Sequence, residues 1–110
     1  MADTLGILGQ SYPAAATPAD LYTVPAATST VSSTLFVCNT SVTATSFRVA
    51  VRKAGLALTN KQYIYYDAVI SGNDTIALTA GLTLAATDIV TVYNAGGTVA
   101  FSLFGQETSA

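Results

Sequence analysis

Residues 30–52 read TVSSTLFVCNTSVTATSFRVAVR, a pattern of two strands joined by a polar turn. In the second strand Phe47, Val49 and Val51 alternate with Arg48, Ala50 and Arg52. A period of two sends successive side chains to opposite faces, so this segment predicts a half-buried strand. The first strand is apolar in both phases through Leu35-Phe36-Val37-Cys38. That pattern predicts a strand covered on both faces, within a layered β domain that has a neighbour over it.

Further strands are expected at 21–24, ended by Pro25, and at 61–70, 75–80, 82–85, 89–94 and 98–104. Turn chemistry separates them. Ser71-Gly72-Asn73-Asp74 and Asn94-Ala95-Gly96-Gly97 combine residues that accept positive φ or bond their own backbone. Residues 54–60 read as a loop, with at most one helical turn within 56–62. About eight strands at spacings of roughly 8–12 residues predict an all-β, two-sheet antiparallel β-sandwich, jelly-roll or Ig-like. Its expected core is Leu35, Val37, Phe47, Val49, Val51, Ile89 or Val90, Val99 and Phe101.

Residues 1–20 differ from the rest. Gly6, Gly9, Pro13 and Pro18 oppose a long strand there. They predict an extended N-terminal arm, with a short strand at 4–8 at most, attached to a sandwich domain spanning 21–110. Such an arm binds through backbone bonds and small apolar anchors. Leu5, Ile7, Leu8 and Tyr12 are the candidate anchors, running over a neighbouring chain. Residues 107–110 read as a short polar tail.

Composition sharpens the picture. Hydrophobic residues make up 51% of the chain and charged residues only 9%, against roughly 25% charged in an average soluble protein. Either small alanines inflate the apolar count, or other subunits cover much of the surface, as in a homo-oligomer. Four basic residues and a net charge of −2 argue against nucleic acid as a partner and against a polybasic membrane contact. No apolar run approaches the roughly 20 residues of a membrane-spanning helix. With Asp3 near the start and no basic n-region, no signal peptide is expected. The single cysteine, Cys38, is expected as a small buried hydrophobe.

The absence of histidine removes the Ser-His-Asp and Cys-His catalytic arrangements and every His-based zinc site. No phosphate loop or dinucleotide fingerprint is present. Asp74 and Asp88 occupy ordinary turn positions, and Asp67 is placed to pair with Arg48 or Arg52. No cofactor, metal or catalytic residue is therefore expected. The aromatic strand 63–66 places Tyr63 and Tyr65 on one face, Ile64 and Tyr66 on the other. Tyr63, Tyr65 and Tyr66 are candidate interface residues, tyrosine being favoured in such surfaces; a carbohydrate platform is the alternative. The sequons at Asn39 and Asn73 are expected to be chance matches.

The segments LGQSYPAAATPADLYTVPA, STLFVCNTSVTATSFRVAVRKAG, YIYYDAVISGNDT and LTLAATDIVTVY resemble small virion structural proteins of tailed bacteriophages. The similarity spans residues 8–107 and consists of strand patterns, with no site motif to carry over. It implies a β-sandwich assembled into the virion in the host cytoplasm, with other virion proteins as partners. The expected role is a capsid decoration, or cement, protein on the major capsid protein; a tail, baseplate or fibre component is the alternative.

Overall fold

The computed structural model describes residues 2–79 and 81–109. The ends of the expected arm, of strand 75–80 and of the polar tail, at Met1, Ala80 and Ala110, lie outside the described residues. The strands are β1 (Ala2–Ser11), β2 (Ala19–Thr23), β3 (Thr28–Asn39), β4 (Thr45–Arg52), β5 (Tyr63–Ile70), β6 (Thr75–Leu78), β7 (Leu82–Leu84), β8 (Ile89–Asn94) and β9 (Val99–Ser109). They form two antiparallel sheets. One runs β1-β9-β3-β6, with β7 also on β3; the other runs β2-β8-β4-β5. Two short 3-10 turns, Lys53–Gly55 and Asn60–Gln62, fill the loop between β4 and β5.

Inward phases of the two sheets meet to form the core. Leu35, Val37, Val99, Phe101 and Leu103 come from one sheet, and Phe47, Val49, Val90, Val92 and Ile70 from the other. Phe47 and Phe101 pack edge to face across the interface, ring centroids 6.2 Å apart. The expected core is observed with two refinements. Val90 is the buried residue and Ile89 only partly so, while Val51 packs at the margin.

The N-terminal segment departs from the extended-arm expectation. Residues 2–11 form β1, paired antiparallel with β9 of the same chain from Ala2↔Ser109 to Ser11↔Phe101. The glycines that opposed a strand have local uses. A bulge falls between Ile7 and Gly9. A Cβ on Gly9 would lie 2.1 Å from the Leu21 carbonyl oxygen, so only glycine lets β1 close against β2. The prolines stand after β1 and before β2, where no ladder bond is required. The expected tail is likewise strand: β9 continues to Ser109, flanked by β1 and β3.

Two buried asparagines tie the loops at one end. Asn39 Nδ2 donates to the carbonyls of Thr43 (2.9 Å) and Ser71 (3.2 Å), while its Oδ1 accepts from the Ser41 amide and the Thr98 hydroxyl. Asn94 Nδ2 donates to Ser46 O (2.7 Å) and Thr45 Oγ1 (3.2 Å), and its Oδ1 accepts the Thr98 amide. These bonds satisfy polar groups that would otherwise be stranded inside.

Candidate interaction surface

Register assigns every outer position, and the two outer faces differ in chemistry. On β2-β8-β4-β5 the outward phase carries Asp20, Arg48, Arg52 and Asp67. Arg52 bonds Asp20 (3.0 Å) and Thr91 Oγ1 (3.0 Å). Arg48 makes a two-pronged contact with Asp67, at 2.6 and 3.3 Å. Its guanidinium also lies over the Tyr66 and Tyr93 rings, 4.2 and 4.6 Å from their centroids. The hydrogen bond from Arg48 holds the Asp67 carboxyl below its ordinary range, and the reciprocal bond raises Arg48 further.

This cluster depends on a bulge in β5. The β4–β5 register jumps from Phe47↔Ala68 to Val49↔Tyr65, so Tyr66 and Asp67 together oppose Arg48. Asp67 has φ +53°, a left-handed conformation that aspartate and asparagine tolerate better than most residues. Of the two arginines offered to Asp67 by the sequence pattern, Arg48 is the partner.

A second register shift, from Val49↔Tyr65 to Ala50↔Tyr63, corrects the expected grouping of tyrosines. Tyr65 turns inward onto Phe47 (6.1 Å), whereas Tyr63 packs edge to face on Tyr66 (4.9 Å). Tyr63, Tyr66 and Asn60 line a shallow open cleft of about 400 Å³. The Tyr66 ring contacts Arg48 and Tyr63 and remains 57% exposed.

The outer face of β1-β9-β3-β6 is nearly uncharged and carries apolar side chains set among polar ones such as Gln10, Thr34, Ser102, Gln106 and Thr108. Register aligns Ile7 with Phe104, Phe104 with Thr34, and Leu5 with Gln106 beside Val31. Leu5, Val31 and Phe104 line one depression, and Phe36 meets Phe104 edge to face at 5.6 Å. Leu5 is 77% exposed, Ile7 59%, Val31 56% and Phe36 39%. Among the described residues the only charged side chain on this face is Asp3 at its end, where it accepts from Thr108 Oγ1 (2.8 Å). The remaining acids and all four basic residues fall on the opposite face, in loops, or, for Glu107, between the sheets.

The expectation that β3 is covered on both faces is corrected here. Leu35 and Val37 are buried, but Phe36, flanked by Phe104, stays 39% exposed, and Cys38 is partly exposed on the same face. The candidate anchors separate. Leu5 and Ile7 belong to this face, Leu8 packs against the core, and Tyr12 is exposed with its hydroxyl 3.1 Å from Thr40 Oγ1. Val31, Phe36 and Phe104 join the surface without having been singled out. The signal was present in the two-phase apolar run of β3 and in Phe104, which stands out of phase with Phe101 and Leu103.

Asp74 and Asp88 act as turn residues. Asp88 accepts the amides of Ala54 and Ala85, and Asp74 that of Thr75. No group of acidic or cysteine side chains among the described residues is arranged to hold a metal ion. Comparison with protein-family models, curated protein sequences and solved structures finds no match to this chain.

Proposed function

We propose that this chain is a non-enzymatic structural protein of a bacteriophage virion, and that it decorates the capsid by seating the outer face of β1-β9-β3-β6 on the major capsid protein lattice. The observation that carries this reading is the partition of charge. One broad face presents Leu5, Ile7, Val31, Phe36 and Phe104 among uncharged polar side chains with a single carboxylate at its end, while the other carries two ion pairs beside exposed Tyr66 and Val69. Exposed apolar faces of this kind mark association surfaces. The resemblance of the strand sequences to virion proteins supplies the class of partner.

Binding through such a face stabilises the assembled lattice by mass action. It also resists salt, since about 1 M salt shortens the Debye length to about 3 Å yet leaves apolar burial intact. The test is to wash purified particles in molar NaCl and measure the copies retained, for the native chain and for Phe36→Lys. The native chain should stay bound and the variant should be depleted. Wholesale release of the native chain by salt, or full retention of the variant, would overturn the reading. A tail, baseplate or fibre position would use the same apolar chemistry. Copy number relative to the major capsid protein separates the two, being comparable for a decoration protein and far lower for a tail component.

A further inference from the structure

Each sheet has two edges, and three of the four are blunted. The β6/β7 edge is made of strands of four and three residues, interrupted at Gly81 with φ +67°. On β5 the register shifts twice and Asp67 turns into the left-handed region. Strand β2 is five residues long, bulged between Asp20 and Tyr22, and bounded by Pro18 and Pro25. Short strands, bulges and prolines are the devices by which β proteins prevent edge-to-edge pairing.

Strand β1 has none of these over its first part. It contains no proline or lysine, its one charge is Asp3 near the end, and its ladder with β9 is regular from Ala2 to Ile7. Past the bulge β2 packs on the face of β1 at Gly9, and the regular part of the edge is residues 2–7. Leu5 and Ile7 project from it into solvent.

We propose that residues 2–7 of β1 pair antiparallel with the same residues of a second copy, across a two-fold axis near Leu5, joining two β1-β9-β3-β6 sheets into one. The pleat requires residues on the same face to stand opposite each other. With Leu5 facing Leu5, Asp3 of each copy faces Ile7 of the other. The two carboxylates then stand about 13 Å apart along the strands, four residues at about 3.3 Å each. That exceeds the Debye length of about 8–10 Å at ordinary ionic strength, so self-pairing brings no like-charge repulsion. The pairing also brings Leu5 of the two copies side by side on the outer face, with Gln106 and then Val31 of each copy beyond it.

Opposed residues in an antiparallel pair have Cα atoms about 4.5–5.5 Å apart, within the range a disulfide spans. The experiment therefore places one cysteine on the axis, in a Cys38→Ser background: Leu5→Cys, with Val42→Cys as control, Val42 being 82% exposed in the β3–β4 loop. Under mild oxidation Leu5→Cys should form covalent dimers about tenfold faster or more than the control, as expected when association raises the effective thiol concentration. In parallel, sedimentation of the otherwise native chain should show a concentration-dependent dimer that Leu5→Lys abolishes without changing the folded state. Equal cross-linking rates, a native chain that stays monomeric, or a dimer indifferent to Leu5→Lys would each overturn the proposal. Because these readouts use the isolated chain, they are independent of retention on particles.

Discussion

The Tyr22 hydroxyl on β2 donates a hydrogen bond to the Glu107 carboxylate on β9, tying the two sheets together at the end opposite Asn39 and Asn94. Thr30 Oγ1 lies 2.8 Å from the same hydroxyl. Burial, reinforced by the bond to Glu107, pushes the Tyr22 pKa from 10.0 up to about 12. The unfolded chain therefore releases this proton more readily than the folded one. Its contribution to stability is complete below about pH 10 and is lost as pH rises towards about 12. Tyr22→Phe should cost about 1–3 kcal/mol at neutral pH, by deleting the bond to a carboxylate. It should also flatten the alkaline decline. Thermal melts of both proteins across that range check the prediction; identical alkaline profiles would sink it.

At Asp67 conformation and charge separate cleanly. Asp67→Gly removes the contact with Arg48 but suits φ +53°. Asp67→Val removes the same contact and adds a β-branched side chain that resists this φ. The valine variant should melt below the glycine variant. Because Arg48 holds the Asp67 carboxyl below its ordinary 3.8, the pair's contribution is present above that pH and fades as acid is added. Equal melting of the two variants would mean that the bulge carries no conformational demand.

Gly9→Ala tests the corner where β1 meets β2. The added Cβ would lie 2.1 Å from a backbone oxygen, which cannot rotate away as a side chain can. Overpacking of this kind costs about 1–3 kcal/mol. Faster amide exchange in β1, with β3 and β4 still protected, is the expected signature. Unchanged stability would indicate that β1 and β2 are not held together as described.

The sandwich was legible because β4 and β9 alternate cleanly where they cross the core, even though β3 changes phase between Ser32 and Thr34. Phe47 and Val49 on β4, and Val99 and Phe101 on β9, face inward as alternation requires. β1 was not legible: its pairing partner lies some hundred residues away, at Gln106 and Glu107, and its glycines mimic a linker. The tyrosine faces were misread because alternation cannot anticipate two irregularities in β5, one at Tyr66 and Asp67 and one at Ile64, the second of which parts Tyr63 from Tyr65. Asn39 and Asn73 look alike as sequons, yet Asn39 is 1% exposed and Asn73 is exposed. Nothing local distinguishes an asparagine that closes a turn from one that joins three loops. The apolar outer face was half legible. The double phase of Leu35-Phe36-Val37-Cys38 announced two covered faces, but a single chain supplies cover for one.

Asn39→Ala follows from that distinction. It strands the carbonyls of Thr43 and Ser71, the Ser41 amide and one hydroxyl at a buried site. Groups left without partners there cost about 1–3 kcal/mol. The substitution should lower the unfolding midpoint in denaturant at unchanged slope, while Asn73→Ala, at an exposed turn, should do much less. Comparable losses at the two positions would contradict the network.

Val49→Asp probes the face assignment on which the rest depends. Val49 is 0% exposed. It lies on β4 between β5 and β8, opposite Tyr65 and Val92, and no cation points inward near it: both arginines of β4 occupy the outward phase. An aspartate there would be desolvated and unpaired, at a cost of several kcal/mol. That is a large part of the roughly 5–15 kcal/mol total typical of natural domains. Val69→Asp is the matched control, 72% exposed on the neighbouring strand β5. Circular dichroism and amide dispersion should report an unfolded or aggregated Val49→Asp and a native-like Val69→Asp. A soluble, cooperatively folded Val49→Asp protein would mean that β4 presents its other face to the core, and with it the apolar outer surface would have to be reassigned.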